Sequence, residues 1–512
     1  MNETAHALGA SGTFWELIER RAALTPERPF LIQDDRTLTF GELRTRAERV
    51  AAGLYAVGVR PGTVVAWQLP TRLETALLSF ALARIGAVQT PVIPFYRDRE
   101  VGFALRESKA EFFAVPGTWR GFDHTAMAAR LSADLPHPPQ VFEAYDTLPD
   151  GDPSVLPPPP ADGTSVRWIY WTSGTTSDPK GVLHTDRSLI AGGSCLAHAL
   201  HLTADDVGSM AFPFAHVAGP DYSVMLLLYG FPAVLFEHFA MPDALAGYRR
   251  HGVTVAGGST AFYSMFLTEQ RKAPSAPVVP TLRLLAGGGA PKPPEIYHAV
   301  VREMGVQLTH GYGMTEVPMI TMGAPDDTVE HLAETEGRPP EGMEIRITDE
   351  DGKPLPYDTD GEVRLRGEAV CQGYLAATSP FDAEGFLITG DVGHVRPSGH
   401  LVLTGRLKDI IIRKGENISA KEIEDLLARH PGVGDAAVIG LPDQSRGERV
   451  CAVVEQPPNA APLTLAELTA YLRGEGLSVH KLPEQLELVD ALPRNEALRK
   501  VLKYQLRSRF GG

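Results

Sequence analysis

Trp171-Thr172-Ser173-Gly174-Thr175-Thr176-Ser177-Asp178-Pro179-Lys180-Gly181 packs five hydroxyl side chains, two glycines and a lysine into eleven residues. The run follows Trp168-Ile169-Tyr170, whose apolar, aromatic character reads as a buried strand, and it leads into Val182-Leu183. Hydroxyls and backbone N–H groups donate to phosphate oxygens, glycine lets the backbone come close, and lysine adds a point charge. A loop of this composition therefore suits a polyanion. It is not a Walker loop, because Gly174 to Lys180 lacks both the spacing and the Gly-Lys-Ser/Thr ending. A solvated polar turn could share the composition, and one loop alone does not separate the two readings.

Around this loop the strand and helix signals alternate. Phe30-Leu31-Ile32 and Val64–Leu69 read as strands, and Leu73–Ile85 as an amphipathic helix. Thr39 followed by Glu42 has the spacing of a capping box at a helix start. The alternation runs to about residue 325 and predicts α/β layers over a largely parallel sheet. Pro153 to Pro160 is a proline-rich connector just before the loop's strand. From about 340 to 405 short strands (Glu344–Ile347, Glu362–Leu365, Leu401–Leu403) are split by Gly, Pro and Asp turns, the pattern of a small β subdomain. After Gly405-Arg406-Leu407-Lys408-Asp409 come a strand at Ile410–Arg413, a helix at Ala420–Arg429 and strands at 435–439 and 450–454, a small α+β domain. The expected division is 1–405 and 406–512.

Bulk properties narrow the classes. A chain of 512 residues allows two to four domains. A formal net charge of -15 argues against a generic nucleic-acid role. Cys195, Cys371 and Cys451 are three and far apart, with no disulfide frame or zinc cluster, as in a reducing compartment. The greasiest run, Val224 to Phe236, is broken by Gly230 and Pro232 and is too short to span a bilayer. The expectation is a cytoplasmic protein with no membrane span; a homodimer is left open.

Further motifs follow the loop in order. His310-Gly311-Tyr312-Gly313-Met314-Thr315-Glu316 places an aromatic, a hydroxyl and a carboxylate in one turn: a ring to stack on a base, a donor for phosphate, and an oxygen ligand for Mg²⁺. Gly287-Gly288-Gly289-Ala290-Pro291 ends a buried strand with small residues and lets a flat ring approach the backbone. Thr389-Gly390-Asp391 puts in a turn a carboxylate that could accept both hydroxyls of a ribose. With Gly405 to Asp409 these make five ordered motifs. Together they resemble the superfamily of adenylate-forming enzymes that contains acyl-CoA synthetases, adenylation domains and firefly luciferase, over residues 14 to 507.

The resemblance implies a large N-terminal domain, a mobile C-terminal domain and a ligand site between them. It also implies two half-reactions: a carboxylate attacks the α-phosphate of ATP·Mg to give acyl-AMP, then the C-terminal domain turns and a thiol attacks the acyl carbon, releasing AMP. By motif, Thr172, Ser173, Gly174, Thr175, Thr176 and Lys180 would hold the β,γ-phosphates, with Ser177 where glycine is commoner. Gly289 and Ala290 would flank adenine and Tyr312 would stack on it. Thr315 would contact the α-phosphate, Glu316 would bind Mg²⁺, and Asp391 with Arg406 would take the ribose. Lys408 falls at the hinge position. His216 matches a gate between the acyl pocket and the pantetheine tunnel. Lys414, Gly415, Glu416 and Asn417 would line the thiol's path after rotation.

The pattern breaks at its end. The superfamily's last motif is Pro-Arg-x-x-x-Gly-Lys, whose lysine serves adenylation. Here the stretch is Pro493-Arg494-Asn495-Glu496-Ala497-Leu498-Arg499-Lys500, one residue too long. Aligned from the right, Lys500 is the lysine and Arg499 replaces glycine; aligned from the left, Arg499 takes the lysine's place. One residue advances an extended chain by about 3.3–3.6 Å, and a misplacement of about 1 Å can cost on the order of a hundredfold in rate. An adenylation half that is weak or lost is therefore expected, with the thioester half intact. Such an enzyme would act on acyl-AMP supplied by a separate adenylating enzyme. A complete two-step synthetase and a non-catalytic binder of acyl-AMP are the alternatives.

The segment Pro213-Phe214-Ala215-His216-Val217 lacks the aspartate that amino-acid-activating relatives carry there, and Asp221 lies too far along to match. A non-amino acid is expected. Val217, Gly219, Ser259, Phe262, Gly287, Gly288 and Gly311 are the candidate pocket walls, and their glycines suggest room for a bulky apolar acyl group. The expected thiol is CoA, with carrier-protein pantetheine as the alternative.

Overall fold

The computed structural model of the chain describes residues 3–172, 179–376, 378–413, 416–443, 445–457, 460–495 and 499–511. Ser173, Gly174, Thr175, Thr176, Ser177, Lys414, Gly415 and Glu496 to Leu498 lie outside the described residues. The fold is mixed α/β, a large N-terminal domain followed by a small C-terminal one.

The Val166–Trp171 strand sits in a seven-stranded sheet. Its neighbours Val64–Trp67, Val88–Pro91, Phe112–Val115 and Gln140–Glu143 pair in parallel. The parallel expectation stops at the hydroxyl-rich loop. The strand after it, Gly181–Thr185, returns antiparallel, with Gly181 opposite Trp171. The loop is thus a hairpin connection on the sheet's edge side rather than a strand-to-helix crossover. A second, four-stranded sheet holds Val255–Gly258, Leu284–Gly288 and Gln307–Met314 in parallel, with Val317–Met322 antiparallel.

The Thr39 capping box is present in full: Glu42 N–H donates to Thr39 Oγ1 at 3.2 Å, and Thr39 N–H donates to Glu42 Oε2 at 2.9 Å. Helix Leu73–Ile85 has the expected bounds but is not amphipathic; every residue in it is buried. It lies in the centre of the largest apolar cluster, among Phe14, Phe30, Leu54 and Phe214. Its two buried charges are paired, Glu74 with Arg36 at 2.6 Å and Arg84 with Glu48 at 3.6 Å. A polar residue at helical spacing marks a solvent face only when no partner reaches it from another element.

Residues 343–406 form the expected small β subdomain, a four-stranded antiparallel sheet of Met343–Thr348, Gly361–Gly367, Leu387–Val395 and Leu401–Arg406. Leu407–Asp409 is a short 3₁₀ turn, and Ile410–Arg413 opens the C-terminal sheet. Helix Ala420–Leu427 and strands Asp435–Asp443 and Gly447–Glu455 cover the expected elements; the hairpin strands run longer than expected. Ser419 caps that helix and also donates to Thr404 O at 2.5 Å, and Arg429 pairs with Glu295 at 2.7 Å, so the C-terminal domain docks on the N-terminal one.

Candidate functional site

The hydroxyl-rich loop is pinched at its base. Thr172 N–H donates to Lys180 O at 3.0 Å and Lys180 N–H donates to Thr172 Oγ1 at 3.2 Å. The Lys180 ammonium lies 4.7 Å from the centre of the Tyr374 ring, and Tyr374 O–H donates to Glu316 Oε1 at 2.6 Å. Strand pairing explains this chain of contacts, since Tyr374 is the cross-strand partner of Val182, two residues after Lys180. A buried carboxylate is a hard oxygen donor, so Glu316, with Thr315 next to it, fits Mg²⁺.

Thr315 is held through its carbonyl, which accepts from His184 Nε2 at 2.7 Å; His184 Nδ1 lies 2.9 Å from Ser188 Oγ. Burial pushes the His184 pKa down to about 4, so the ring is neutral and acts as a fixed strut. Neither His184 nor Tyr374 was singled out from sequence. His184 directly follows the Val182-Leu183 pair into which the loop leads, but its partner lies 131 residues away, and Tyr374 lies in a part of the chain with no motif.

On the side that the motifs are expected to turn to base and ribose, Asp391 and Arg406 are cross-strand neighbours, and Arg406 Nε lies 2.6 Å from Asp391 Oδ1. Tyr312 O–H donates to the other oxygen of Asp391. The Tyr312 ring packs with Val317, Ile320, Val363 and Leu365. Burial, and then Asp391, hold its phenol well above the usual range. A Cβ at Gly289, where φ is 82°, would meet nothing within 4 Å, so the backbone faces open space. The Ala290 carbonyl accepts from Thr260 Oγ1 at 3.3 Å and His310 Nε2 at 3.0 Å, which fixes this wall. The structure thus brings Tyr312, Asp391 and Arg406 into direct contact, and Thr315 and Glu316 follow on the same turn.

Tyr96, Tyr170, Trp171, His216, Val217 and Thr315 line one narrow cavity. The enclosed His216 ring is pushed down to about 4 by burial and is neutral; its Nδ1 accepts from Ala218 N–H at 3.2 Å. Gly219, Ser259, Phe262, Gly287, Gly288 and Gly311 do not line this cavity, and their glycines have another cause. A Cβ at Gly287 would come within 1.7 Å of Gly258 O, at Gly288 within 2.4 Å of Gly311 O, at Gly311 within 2.4 Å of Thr321 O, and at Gly219 within 2.1 Å of Phe214 O. These glycines admit close backbone approach rather than ligand volume.

The C-terminal domain is oriented so that the half-buried Lys500 lies within electrostatic reach of Arg406, Asp391, Lys408 and Asp409; burial, and then Arg406, push its ammonium down to about 8. Arg499 has φ 58°, the left-handed region that glycine favours. Asn495 N–H donates to Lys500 O at 2.9 Å, Lys500 N–H donates to Asn495 Oδ1 at 3.1 Å, and Arg494 bridges to Val501. Arg499 thus precedes Lys500 in a backbone conformation that glycine favours. Glu416 is exposed, and Lys408 sits in the 3₁₀ turn between the domains.

A family described as AMP-binding enzyme matches residues 18–375, and a second, described as AMP-binding enzyme C-terminal domain, matches 422–497. The salicyl-AMP ligase / salicyl-S-ArCP synthetase of Mycobacterium tuberculosis is 35% identical over 89% of this chain and 82% of its own. The 3-[(3aS,4S,7aS)-7a-methyl-1,5-dioxo-octahydro-1H-inden-4-yl]propanoyl:CoA ligase of the same organism is 34% identical over 96% of this chain and 97% of its own. Among solved structures, o-succinylbenzoate CoA synthetase from Bacillus subtilis, in complex with its acyl-adenylate intermediate, superposes with a TM-score of 0.83 at 29% identity, over 97% of this chain and 98% of that one.

Proposed function

The chain belongs to the AMP-binding enzyme family, and from that premise we propose that it joins a hydrophobic, non-amino carboxylic acid to CoA through an acyl-adenylate, with ATP and Mg²⁺, by an adenylation step that is slowed but retained. The observation that carries this reading is the half-buried Lys500 within electrostatic reach of Asp391 and Arg406, next to Arg499 in the left-handed region. The sequence leaves adenylation weak or lost; of the two, complete loss fits less well, because Lys500 still reaches the site and the cost of the extra residue falls on Arg499. A non-glycine residue in the left-handed region costs about 1–2 kcal/mol, which corresponds to slowing rather than abolition.

In this reading Asp391, Arg406 and Tyr312 hold the ribose and base side, Thr172 and Lys180 with the loop between them hold the phosphates, and His184 keeps Thr315 in place. Mg²⁺ on Glu316 would offset phosphate charge. Lys500 places a cation where the substrate carboxylate meets phosphate, and turning the C-terminal domain about Lys408 withdraws it and brings the Glu416 strand round for the thiol. His216, neutral and in the cavity wall, stands between acyl group and thiol path. The names of two relatives describe a salicyl and an octahydroindenyl propanoyl group, which supports a ring-bearing acid. Carrier-protein pantetheine remains the second thiol, favoured by the aryl-carrier product in the name of the first relative.

The test is a paired mass-spectrometric assay for acyl-CoA. One arm supplies acid, ATP, Mg²⁺ and CoA; the other supplies the matching acyl-adenylate and CoA. Product in both arms, slower from ATP, is expected. Product from acyl-adenylate alone would mean thioester formation only, with a separate adenylating enzyme. Acyl-adenylate binding with no thioester in either arm would make the protein a binder.

A further inference from the structure

Two buried polar atoms have no hydrogen-bond partner among the described residues: Oη of the cavity-lining Tyr170, and Oδ1 of Asp221 on the helix that follows the cavity residue Val217. Each residue is only 2% exposed. Tyr170 stands in the Val166–Trp171 strand and lines the cavity with His216 and Thr315. Asp221 stands in the first turn of helix Ala218–Tyr229, which starts directly after the cavity residue Val217. The two lie within electrostatic reach of one another; burial, and then Asp221, hold the Tyr170 phenol well above its usual range. Burial alone holds the Asp221 carboxyl well above the carboxylate range, and no cation counters it. Both shifts favour the protonated form, in which each group carries an O–H.

Their surroundings make this costly arrangement specific. The rest of the helix, Val224 to Leu228, is uniformly apolar and buried. The facing helix, Asp186–Ala199, makes room with two glycines: a Cβ at Gly192 would come within 2.6 Å of Asp221 Oδ1, and one at Gly193 within 2.5 Å of Asp221 O. A leucine at 221 would leave no unpaired acid in this core. Leaving such atoms unpaired is costly, and the one on cavity-lining Tyr170, with Asp221 within electrostatic reach of it, is where an incoming polar group could pair.

We propose that Tyr170 and Asp221 recognise an oxygen substituent, a hydroxyl or an oxo group, on the acyl portion of the acid and remote from its carboxylate. This names a substrate class within the acid-activating reading above and rests on it. An oxo group would accept from both O–H groups. A hydroxyl would accept from Tyr170 and donate to the carboxyl oxygen of Asp221. A plain hydrocarbon ring would leave both unpaired, which is the situation in which sites built to hydrogen-bond a substrate discriminate most strongly. An amine would act differently, by ionising Asp221 to a carboxylate.

The experiment uses hydrolysis-resistant acyl-sulfamoyl adenosines whose acyl group is a cyclohexane ring, either plain or bearing an oxo, hydroxyl or amino group at each ring position. Their affinities for the full-length protein and for Tyr170→Phe, Asp221→Asn and Asp221→Leu are measured by calorimetry. The best oxygenated ligand should bind at least about tenfold tighter than the plain ring. In Tyr170→Phe and Asp221→Leu the gap should shrink severalfold while the plain ring binds as well or better; Asp221→Asn, which keeps a donor and an acceptor, should retain most of it. Equal affinities, a gap that survives in both Tyr170→Phe and Asp221→Leu, or preference for the amino ligand would overturn the inference. If Asp221→Leu fails to fold, Tyr170→Phe still decides. Acyl-CoA formation from the corresponding acids is measured in parallel. Turnover without an affinity gap defeats this inference alone, an affinity gap without turnover defeats the ligase reading alone, and binding of none of the ligands defeats both.

Discussion

Asp391 and Lys500 meet at one site but are held there by unlike means. Asp391 is fixed by strand pairing: its cross-strand neighbour is Arg406, and a third strand contributes Tyr312, so both carboxylate oxygens are gripped by rigid elements. Lys500 arrives at the end of a loop closed by two Asn495–Lys500 hydrogen bonds and a bridge between Arg494 and Val501, with Arg499 in a left-handed turn. In a sheet an extra residue shifts the register or must be taken up as a bulge, and the ladder beside this clamp already has one irregularity, between Val392 and Gly393. A loop can absorb one residue by paying locally in backbone conformation. The departure from the family pattern falls on the loop side, where an extra residue is the less destructive.

Four outcomes would break or sharpen that contrast. The largest belongs to Lys500→Ala. Adenylation, followed by pyrophosphate release, should fall by about 10²–10³, the usual loss for one preorganised electrostatic group; thioester formation from acyl-adenylate and CoA should be spared. Equal losses in both halves would mean that the loop serves the whole site. Next is pH. With the free-enzyme Lys500 ammonium at about 8, the charged form prevails below that value. The kcat/KM of adenylation should be level below about 8 and decline about tenfold per unit above it; the Lys500→Ala residual activity should lack that limb.

Arg499→Gly comes third. Removing a left-handed non-glycine residue returns about 1–2 kcal/mol, so adenylation should rise up to about thirtyfold, and thermal unfolding of the C-terminal domain should move upward. A slower variant would show that the arginine side chain itself contributes to catalysis. The smallest effect is expected for Tyr374→Phe. It removes one hydrogen bond to Glu316, worth about 0.5–1.5 kcal/mol, and should raise the Mg²⁺ requirement by roughly 2–10-fold; titration of adenylation against Mg²⁺ reads this directly.

The same contrast explains what could be read from the chain. The Thr39 box, the limits of Leu73–Ile85 and the antiparallel subdomain are local in sequence, and local chemistry settles them. Tyr312, Thr315, Glu316, Asp391 and Arg406 were legible because their motifs are contiguous. His184 and Tyr374 were not, because each owes its role to a partner more than 50 residues distant. Leu73–Ile85 looked amphipathic because its charged residues have partners that only the fold supplies. The close backbone approach at Gly219, Gly287, Gly288 and Gly311 was not legible either: what lies opposite a missing Cβ is a matter of packing.

Arg406 ends its strand, and the Leu407–Asp409 turn begins at the next residue. A pivot there would start just beyond an anchored point, like a door hung on the post to which the latch is fixed. Torsion in the turn would then swing the C-terminal domain without loosening the Asp391 clamp. The nucleotide portion of the intermediate would stay gripped while the domain changes sides, so release of AMP would be timed by the clamp and not by the swing.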